Sequence, residues 1–312
     1  MKRPFFTIIV VSYNAGKDLI DTLESIKKQT FTDYRILIKD GGSTDGSLEK
    51  AADMFGVTIG KEKTGDVCAI VRKKDLGIYD AMNAAVEILK DRAVRECGLE
   101  NGTENLQKKL IGDGCTPGFI YFLNCGDVFS GSDVLSKVHE KIEENRVRKG
   151  TTLPTIYYGD IFEMQTNQRV SSIPKINDFA CYRNVPSHQA CFYDERLMYR
   201  YPFDTVWKVR ADYEHFLRCF YVEKAQTVYM NMRIADYEGG GFSETRENRK
   251  ISETERQQII HLYLSRKKIR KFDLIRALTL AGLRTKIAQN PKTAGVYNKI
   301  KSTIYKAKNK NA

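Results

Sequence analysis

A chain of 312 residues, 42% apolar and 11% aromatic, is long enough for one large core or two domains and too apolar to stay unfolded. Seven cysteines, an odd number with no C-x-x-C pair, exclude a disulfide scaffold and argue against a zinc site, which fits a reduced, cytosolic setting. The net charge of +12 suggests nucleic acid until it is located: fourteen Lys or Arg against one acid, Asp273, fall in residues 265–312, leaving the first 264 residues at −1. A uniformly basic binding face is therefore excluded.

MKRPFF leads straight into a strand-like run, which leaves no room for a secretory signal, and no apolar stretch approaches the roughly 18 residues needed to cross a bilayer. Phe5 to Ser12 (FFTIIVVS) is a continuous β-branched run, the mark of a central parallel strand, and it ends in the turn Tyr13 to Gly16. Asp18 is placed as the cap of a helix carrying Leu19, Ile20, Leu23 and Ile26 at helical spacing. Tyr34 to Lys39 is the next strand, closed by DGGSTDGS, a loop of small residues with two carboxylates, before a helix to about Phe55. Cys68 to Arg72 makes a third strand, and Asp75, Leu76 and Gly77 turn into a helix from Ile78 to about Leu89. Arg92 to Gly118 is polar and carries five glycines, which reads as a surface insertion.

The apolar run from Ile120 then stops at Asn124, Cys125, Gly126 and Asp127. The order βαβαβαβ predicts a doubly wound sheet with right-handed crossovers, whose ligands bind in the crevice outside the carboxyl ends of the strands. A carboxylate at that place, with a Gly beside it, suits a divalent cation bridging to phosphate oxygens; the plain alternative is a polar strand-to-loop turn. No G-x-G-x-x-G separates the first strand from the first helix, which disfavours a nicotinamide enzyme.

Beyond a helix at about Ser132 to Arg148, Thr155 to Met164 and Arg169 to Ile173 read as an antiparallel hairpin. NVPSHQACFY combines a Pro bend, His188 and another strand. Ala211 to Phe220 is helical with Tyr213, Phe216, Leu217 and Phe220 inward; Asp212 at its start is either a chemical group or an N-cap, with Glu214 the fallback base. After a strand near Tyr229 to Ala235 come Gly239, Gly240 and Gly241, whose ordering costs entropy unless a ligand or neighbouring backbone demands it. A long helix is expected from about Glu244 to Lys268. In the tail, Phe272, Leu274, Ile275, Leu278, Leu280 and Leu283 are flanked by Arg270, Lys271, Arg276, Arg284 and Lys286. That basic amphipathic stretch suits an anionic membrane surface, or a helix packed on the catalytic part with a solvated end.

Taken together, TIIVVSYN, KDGGSTDGS, DLGIYDAMN, FLNCGD, SHQACFY, ADYEHFLR and GGGFS, in this order across residues 5–250, resemble the inverting family 2 glycosyltransferases of the GT-A fold. The similarity is nearest to the bacterial branch that builds capsule, colanic-acid-type and lipopolysaccharide glycans. The resemblance implies an α/β fold: a Rossmann-like, mostly parallel sheet with helices on both faces, a smaller antiparallel acceptor-side part, and a helical basic tail. Residues 1–130 read as the nucleotide-sugar half, 131–264 as the acceptor-binding and catalytic half, and 265–312 as the tail. A nucleoside-diphosphate sugar donor, UDP-linked, and a glycan or lipid-linked glycan acceptor follow, with no nucleic acid partner. The expected location is cytoplasmic, peripheral on the inner face of the cytoplasmic membrane.

By the same resemblance Ser12, Tyr13, Asn14 and Asp40 enclose the base, and Gly77, Asp80 and Asn83 surround ribose and diphosphate. Asn124 and His188 face the donor, Asp127 ligates Mg2+ or Mn2+, and Asp212 is the catalytic base. Two departures stand out: Asn124 and Gly126 occupy positions where carboxylates are expected, and Ala211 replaces the usual Glu before the base. An inverting transfer is a single displacement, needing one carboxylate for the acceptor proton and a cation for the departing diphosphate. Asp40, Asp127 and Asp212 must then line one cleft. The rival readings are a nucleotidyltransferase, for which only Lys17 is available in the first loop, and a non-catalytic protein whose tail grips RNA or membrane.

Overall fold

The first β-branched run forms β1 (Phe6–Ser12), and it lies inside the sheet because both of its faces are apolar. β2 (Tyr34–Asp40) and β4 (Phe119–Phe122) flank it, both parallel, with β3 (Cys68–Arg72) beyond β2. The helices α1 (Gly16–Lys27), α2 (Ser47–Phe55) and α3 (Ile78–Glu96) make the crossovers. Leu19, Leu23 and Ile26 of α1 share a core with Ile8, Val10, Ile36 and Ile38. Full burial of such a side chain contributes about 1.5–3 kcal/mol relative to exposure. The register sets Ser12 opposite Asp40, so β1 and β2 end level and form a shelf at their carboxyl ends. The computed structural model describes residues 3–61, 67–99, 106, 109–110, 117–149, 153–241 and 245–279.

The chain continues through β5 (Val128–Phe129), α4 (Val134–Lys149), β6 (Thr155–Glu163), β7 (Gln168–Val170), α5 (Asp178–Arg183), β8 (Cys191–Asp194), α6 (Glu195–Arg200), α7 (Ala211–Tyr221) and β9 (Gln226–Tyr237). These strands extend the same sheet in the order β3-β2-β1-β4-β8-β6-β9-β5, with β7 pairing β6 as the expected hairpin. β8 is antiparallel to both β4 and β6, whereas β6 and β9 are parallel. A parallel half thus passes into a mixed half without a break, the α/β arrangement expected of the sequence. The chain divides into two compact units, Met1–Ile259 and Ile260–Ala312.

Several local expectations are corrected. Asp18 does not cap α1: the helix starts at Gly16, whose N–H donates to Asp45 Oδ2 at 2.8 Å. The cap comes from the neighbouring loop, where no local pattern would show it. α3 runs on to Glu96 because Ala93 prolongs the buried stripe begun by Met82 and Leu89, so the expected insertion begins as helix. Residues 100–105, 107–108 and 111–116 of that insertion lie outside the described residues. The single long helix is two, α8 (Arg246–Tyr263) and α9 (Arg266–Leu278), because the Ser265 side chain accepts from Lys268 N as an N-cap. Phe220 is half-buried, and Leu280, Leu283, Arg284 and Lys286 are outside the described residues.

A polar stripe on α1 holds the turn that follows β4. Thr22 is fully buried; its Oγ1 donates to Asp127 O at 2.8 Å and accepts from Gly126 N at 3.1 Å. Ser25 Oγ accepts from Phe129 N at 3.2 Å, and Gln29 Nε2 donates to Gly131 O at 2.7 Å. Thr22→Val keeps the shape, strands the buried Asp127 carbonyl and leaves Gly126 N only its longer bond to Asp18 O, so unfolding in urea is expected to show a loss of about 1–3 kcal/mol. Unchanged stability would mean that the turn is held by other contacts.

Candidate active site

The loops that leave β1 and β2 are bonded to each other. Asn14, at φ 47°, donates its N–H to Ser43 Oγ at 2.8 Å, and its Oδ1 accepts from Thr44 N at 2.9 Å. Gly41 N donates to Ser12 O at 2.8 Å. Tyr13 packs its ring against Gly41 and is 68% exposed, an open aromatic surface at the sheet edge.

Asp40 itself is 0% exposed: Oδ1 accepts from Gly42 N at 2.9 Å and Ser43 N at 2.8 Å, and Oδ2 accepts from Ser43 Oγ. These bonds make an Asx-type turn that shapes the loop from the residue expected to face a base. Asn83 is likewise engaged within the protein. Its Nδ2 donates to Phe203 O and its Oδ1 accepts from Phe203 N, both at 2.8 Å, which ties α3 to the segment before α7. Asp80 Oδ2 accepts from Leu76 N at 2.9 Å and closes the turn around Gly77. Lys39 is buried beneath these loops, its Nζ bonded to Asp40 O, Lys73 O and Asp75 Oδ2 at 3.1, 2.6 and 2.8 Å.

The chemical groups gather where the 3₁₀ turn His188–Ala190 approaches the end of β4. Asp127 is 3% exposed; Oδ2 accepts from Gln189 Nε2 at 3.1 Å and Oδ1 from Glu238 N at 3.3 Å. His188 bridges outward from the same turn, with Nε2 2.9 Å from Asn124 Nδ2 and Nδ1 3.3 Å from Asp212 Oδ2. With the proton on Nδ1, the ring donates to Asp212 and accepts from Asn124. Asp212 Oδ1 also accepts from Tyr79 OH at 3.0 Å and Tyr213 N at 2.8 Å, and its side chain keeps 25% exposure. Tyr121, buried in β4, donates its hydroxyl to Gln189 O at 2.7 Å and so fixes the turn from the core side. Of the three acids expected in one cleft, Asp127 and Asp212 are joined through consecutive residues, and Asp40 lies at the carboxyl edge of the same sheet, sealed under its loop.

The two carboxylates sit in opposite environments. Burial pushes Asp127 up to about 6, against the pull of its bonds from Gln189 and Glu238. Burial also acts to raise Asp212, but the hydrogen bond from His188, with Arg210 and Tyr79, outweighs it and holds that carboxyl below its usual range. Tyr79 is driven well above 10, first by burial and then by Asp212, and stays a hydroxyl donor.

Glu214 is not a spare base: it is buried and paired with Arg218 one turn along α7. Nor is Asp212 an N-cap. α7 begins at Ala211, and the preceding N–H groups of Lys208, Val209 and Arg210 all donate to the Glu255 carboxylate, at 2.8, 3.0 and 2.9 Å. Gln189 and Tyr79 were within reach of the sequence, inside SHQ and DLGIYD, whereas Glu255 and Glu238 gave no signal. Among the described residues, no group of three or more His, Cys, Asp or Glu is arranged to hold a metal.

Solved structures share this fold. Staphylococcus aureus TarS residues 1–349 in complex with UDP aligns with a TM-score of 0.57 at 14% identity, over 90% of this chain and 75% of that one. The mannosyltransferase PcManGT of Pyrobaculum calidifontis, in complex with GDP-Man and Mn2+, gives 0.50 at 13% identity, over 96% and 84%. These likenesses define the class, a GT-A-type α/β fold. The glycosyl transferase family 2 model matches residues 7–95. A PGL/p-HBAD biosynthesis glycosyltransferase of Mycobacterium bovis (strain BCG / Pasteur 1173P2) is 30% identical over 247 residues, 78% of this chain and 81% of its own. The chain therefore belongs to glycosyltransferase family 2, which sets aside the nucleotidyltransferase and the non-catalytic binder.

On the same helix as Asp212, His215 is fully buried and donates from Nε2 to Tyr201 O at 3.0 Å. Burial, then the charge of Arg218, depresses its pKa from 6.5 to about 3. Between those values the unfolded chain binds the extra proton, so stability is full above about pH 6.5 and falls as the pH drops towards 3, at about 1.4 kcal/mol per pH unit. Because the raised Asp127 acts in the opposite sense below about pH 6, the contribution is read as a difference: in urea, the stability gap between wild type and His215→Gln should narrow from pH 7 to 4. An unchanged gap would assign the acid sensitivity to other groups.

Proposed function

We propose that this family 2 enzyme transfers a hexose-type sugar, with inversion, from a nucleoside diphosphate to a hydroxyl of a growing bacterial surface glycan or lipid-linked glycan. The observation that carries the reading is the setting of Asp212: ionised, partly exposed, and held from two sides by His188 and Tyr79. The TarS structures with UDP and UDP-GlcNAc support a UDP-linked donor, and the mycobacterial relative's part in PGL/p-HBAD biosynthesis supports a bacterial glycoconjugate as acceptor.

In this mechanism the nucleobase lies against the exposed ring of Tyr13, and the loop built by Asn14, Asp40 and Ser43 encloses it. Gly77 and Asp80 form the turn beside the ribose and diphosphate. Asp212 Oδ2 takes the proton of the acceptor hydroxyl as that oxygen attacks the anomeric carbon. The bond from the anomeric carbon to the diphosphate breaks, and its electron pair leaves with the phosphate oxygen. His188 Nδ1–H and Tyr79 OH hold the carboxylate aimed during the transfer, so little orientation is lost at the moment of reaction.

Asp127 and Asn124 fit a Mg2+ or Mn2+ ion on two observations. Asp127 is a buried carboxylate whose two hydrogen bonds come from neutral groups, and Asn124 Oδ1 is buried without a partner in the same turn. Such an ion, bound there, supplies positive charge to the departing diphosphate. PcManGT was solved with Mn2+, in keeping with that choice.

α9 supports a peripheral location on the inner face of the cytoplasmic membrane. It exposes Leu274 at 60% and Leu278 at 74% among Arg270, Lys271 and Arg276. No helix among the described residues is long and apolar enough to cross a membrane.

Asp212→Asn is expected to lower kcat by about 10²–10⁴-fold or more while donor affinity, read by nucleotide-sugar titration, changes little. Near-normal turnover would remove Asp212 from the chemistry. EDTA should stop transfer and Mn2+ restore it; full turnover in EDTA would remove the cation. Vesicles containing phosphatidylglycerol should sediment the wild type and lose the Leu274→Ser/Leu278→Ser variant, with neutral vesicles binding neither. Equal sedimentation of both proteins would leave α9 out of membrane binding.

A further inference from the structure

The turn that carries Asp127 has an acid beside it from a distant part of the chain. Gly126 lies at φ +91°, and a Cβ built on it would overlap Glu238 Oε2. The Glu238 carboxylate thus stands where a side chain at position 126 would project. The contact is set by backbone, since Glu238 N donates to Asp127 Oδ1. β9 delivers the residue: its last pairs are Phe162 with Asp236 and Glu163 with Tyr237, and Glu238 follows directly. The next two residues, Gly239 and Gly240, have φ +85° and +72° and lie against the Gln165 side chain, which sets the direction in which the segment leaves.

Two carboxylates close together repel unless a cation lies between or beside them. Among the described residues, no Lys or Arg forms an ion pair with Asp127 or Glu238, and the hydrogen bonds that Asp127 accepts come from the neutral Gln189 amide and Glu238 N–H. Asn124 Oδ1, buried and unpartnered two residues before Gly126, adds a neutral oxygen to the same turn. Hard divalent cations take oxygen donors of this kind, and an exposed carboxylate beside a buried one leaves an open side for phosphate oxygens.

We propose that Glu238 supplies the carboxylate that position 126 lacks, so that Asp127, Glu238 and Asn124 Oδ1 form the protein's share of a divalent-cation site. This rests on the reading of Asp127 as cation-facing. It also gives the segment after β9 a defined part: binding the ion fixes Glu238, and with it the start of the glycine loop, against the β4 turn. Charge count at the site then matches a two-carboxylate set, with the remaining oxygens coming from the donor's diphosphate and water.

The test is Mn2+ binding by the full-length protein, followed by the EPR signal of free Mn2+, with no nucleotide and with saturating UDP or GDP. Wild type, Glu238→Gln, Glu238→Asp and Asp127→Asn are compared, and thermal unfolding in EDTA confirms that each is folded. With nucleotide present, Glu238→Gln should weaken Mn2+ by roughly tenfold or more and Glu238→Asp by less, with Asp127→Asn at least as weak as Glu238→Gln. Wild-type affinity in Glu238→Gln alongside loss in Asp127→Asn would overturn the assignment of Glu238 and leave the reading of Asp127 standing. Wild-type affinity in both variants, or no Mn2+ binding by the wild type, would overturn both.

Discussion

One imidazole ring holds the site together. His188 faces Asn124 at the end of β4 with one nitrogen and Asp212 at the start of α7 with the other, and the next side chain, Gln189, reaches Asp127. A single 3₁₀ turn therefore sets the spacing between the two carboxylates. The turn is rigid for reasons that lie in the core: Tyr121 bonds Gln189 O, and Cys191 to Asp194 immediately enter the sheet between β4 and β6. The antiparallel strand β8 is thus the device that brings the partner of Asp212 to the carboxyl end of the parallel half. Without it, Asn124 and Asp127 would end the parallel strands with Asp212 unconnected to them.

Around that ring, two acids of one chemical type are driven apart in character. Asp127 is enclosed by neutral donors and its proton affinity rises; Asp212 collects a histidine, a tyrosine hydroxyl and the nearby charge of Arg210, and its affinity falls. Environment alone separates the roles, a pattern by which one scaffold assigns different work to identical side chains. The same division explains the rigid frame behind Asp212. Glu255 gathers three successive backbone N–H groups before α7, and Asn83 binds Phe203 from α3, so the helix start is held in place. Precision at a reacting carboxylate depends on such anchoring more than on the carboxylate itself.

The strands of the parallel half were legible because buried parallel strands read as unbroken β-branched or aromatic runs, as FTIIVVS and FIYF do. Asp127 and Asp212 were singled out through motifs that keep their order along the chain, and the structure links them through His188 and Gln189. An Asp before Gly and Ser, as at Asp40, looks the same in sequence whether its oxygens face a ligand or its own loop, and only the structure shows the bonds to Gly42 and Ser43. Asn83 and Glu255 were hidden by distance, since Phe203 and the segment before α7 lie far from them in sequence. The cap of α1 by Asp45 and the approach of Glu238 to Gly126 are likewise contacts across the fold, and no periodicity encodes them.

The central claim is that the Asp127 and Asp212 ends form one site, coupled by the His188–Gln189 turn. A crystal grown with Mn2+ and UDP, measured at the manganese absorption edge, tests it most directly. An anomalous peak is expected within coordination distance of Asp127, with the diphosphate lying between that peak and Asp212. A peak elsewhere, or a nucleotide bound away from the end of β4, would contradict it.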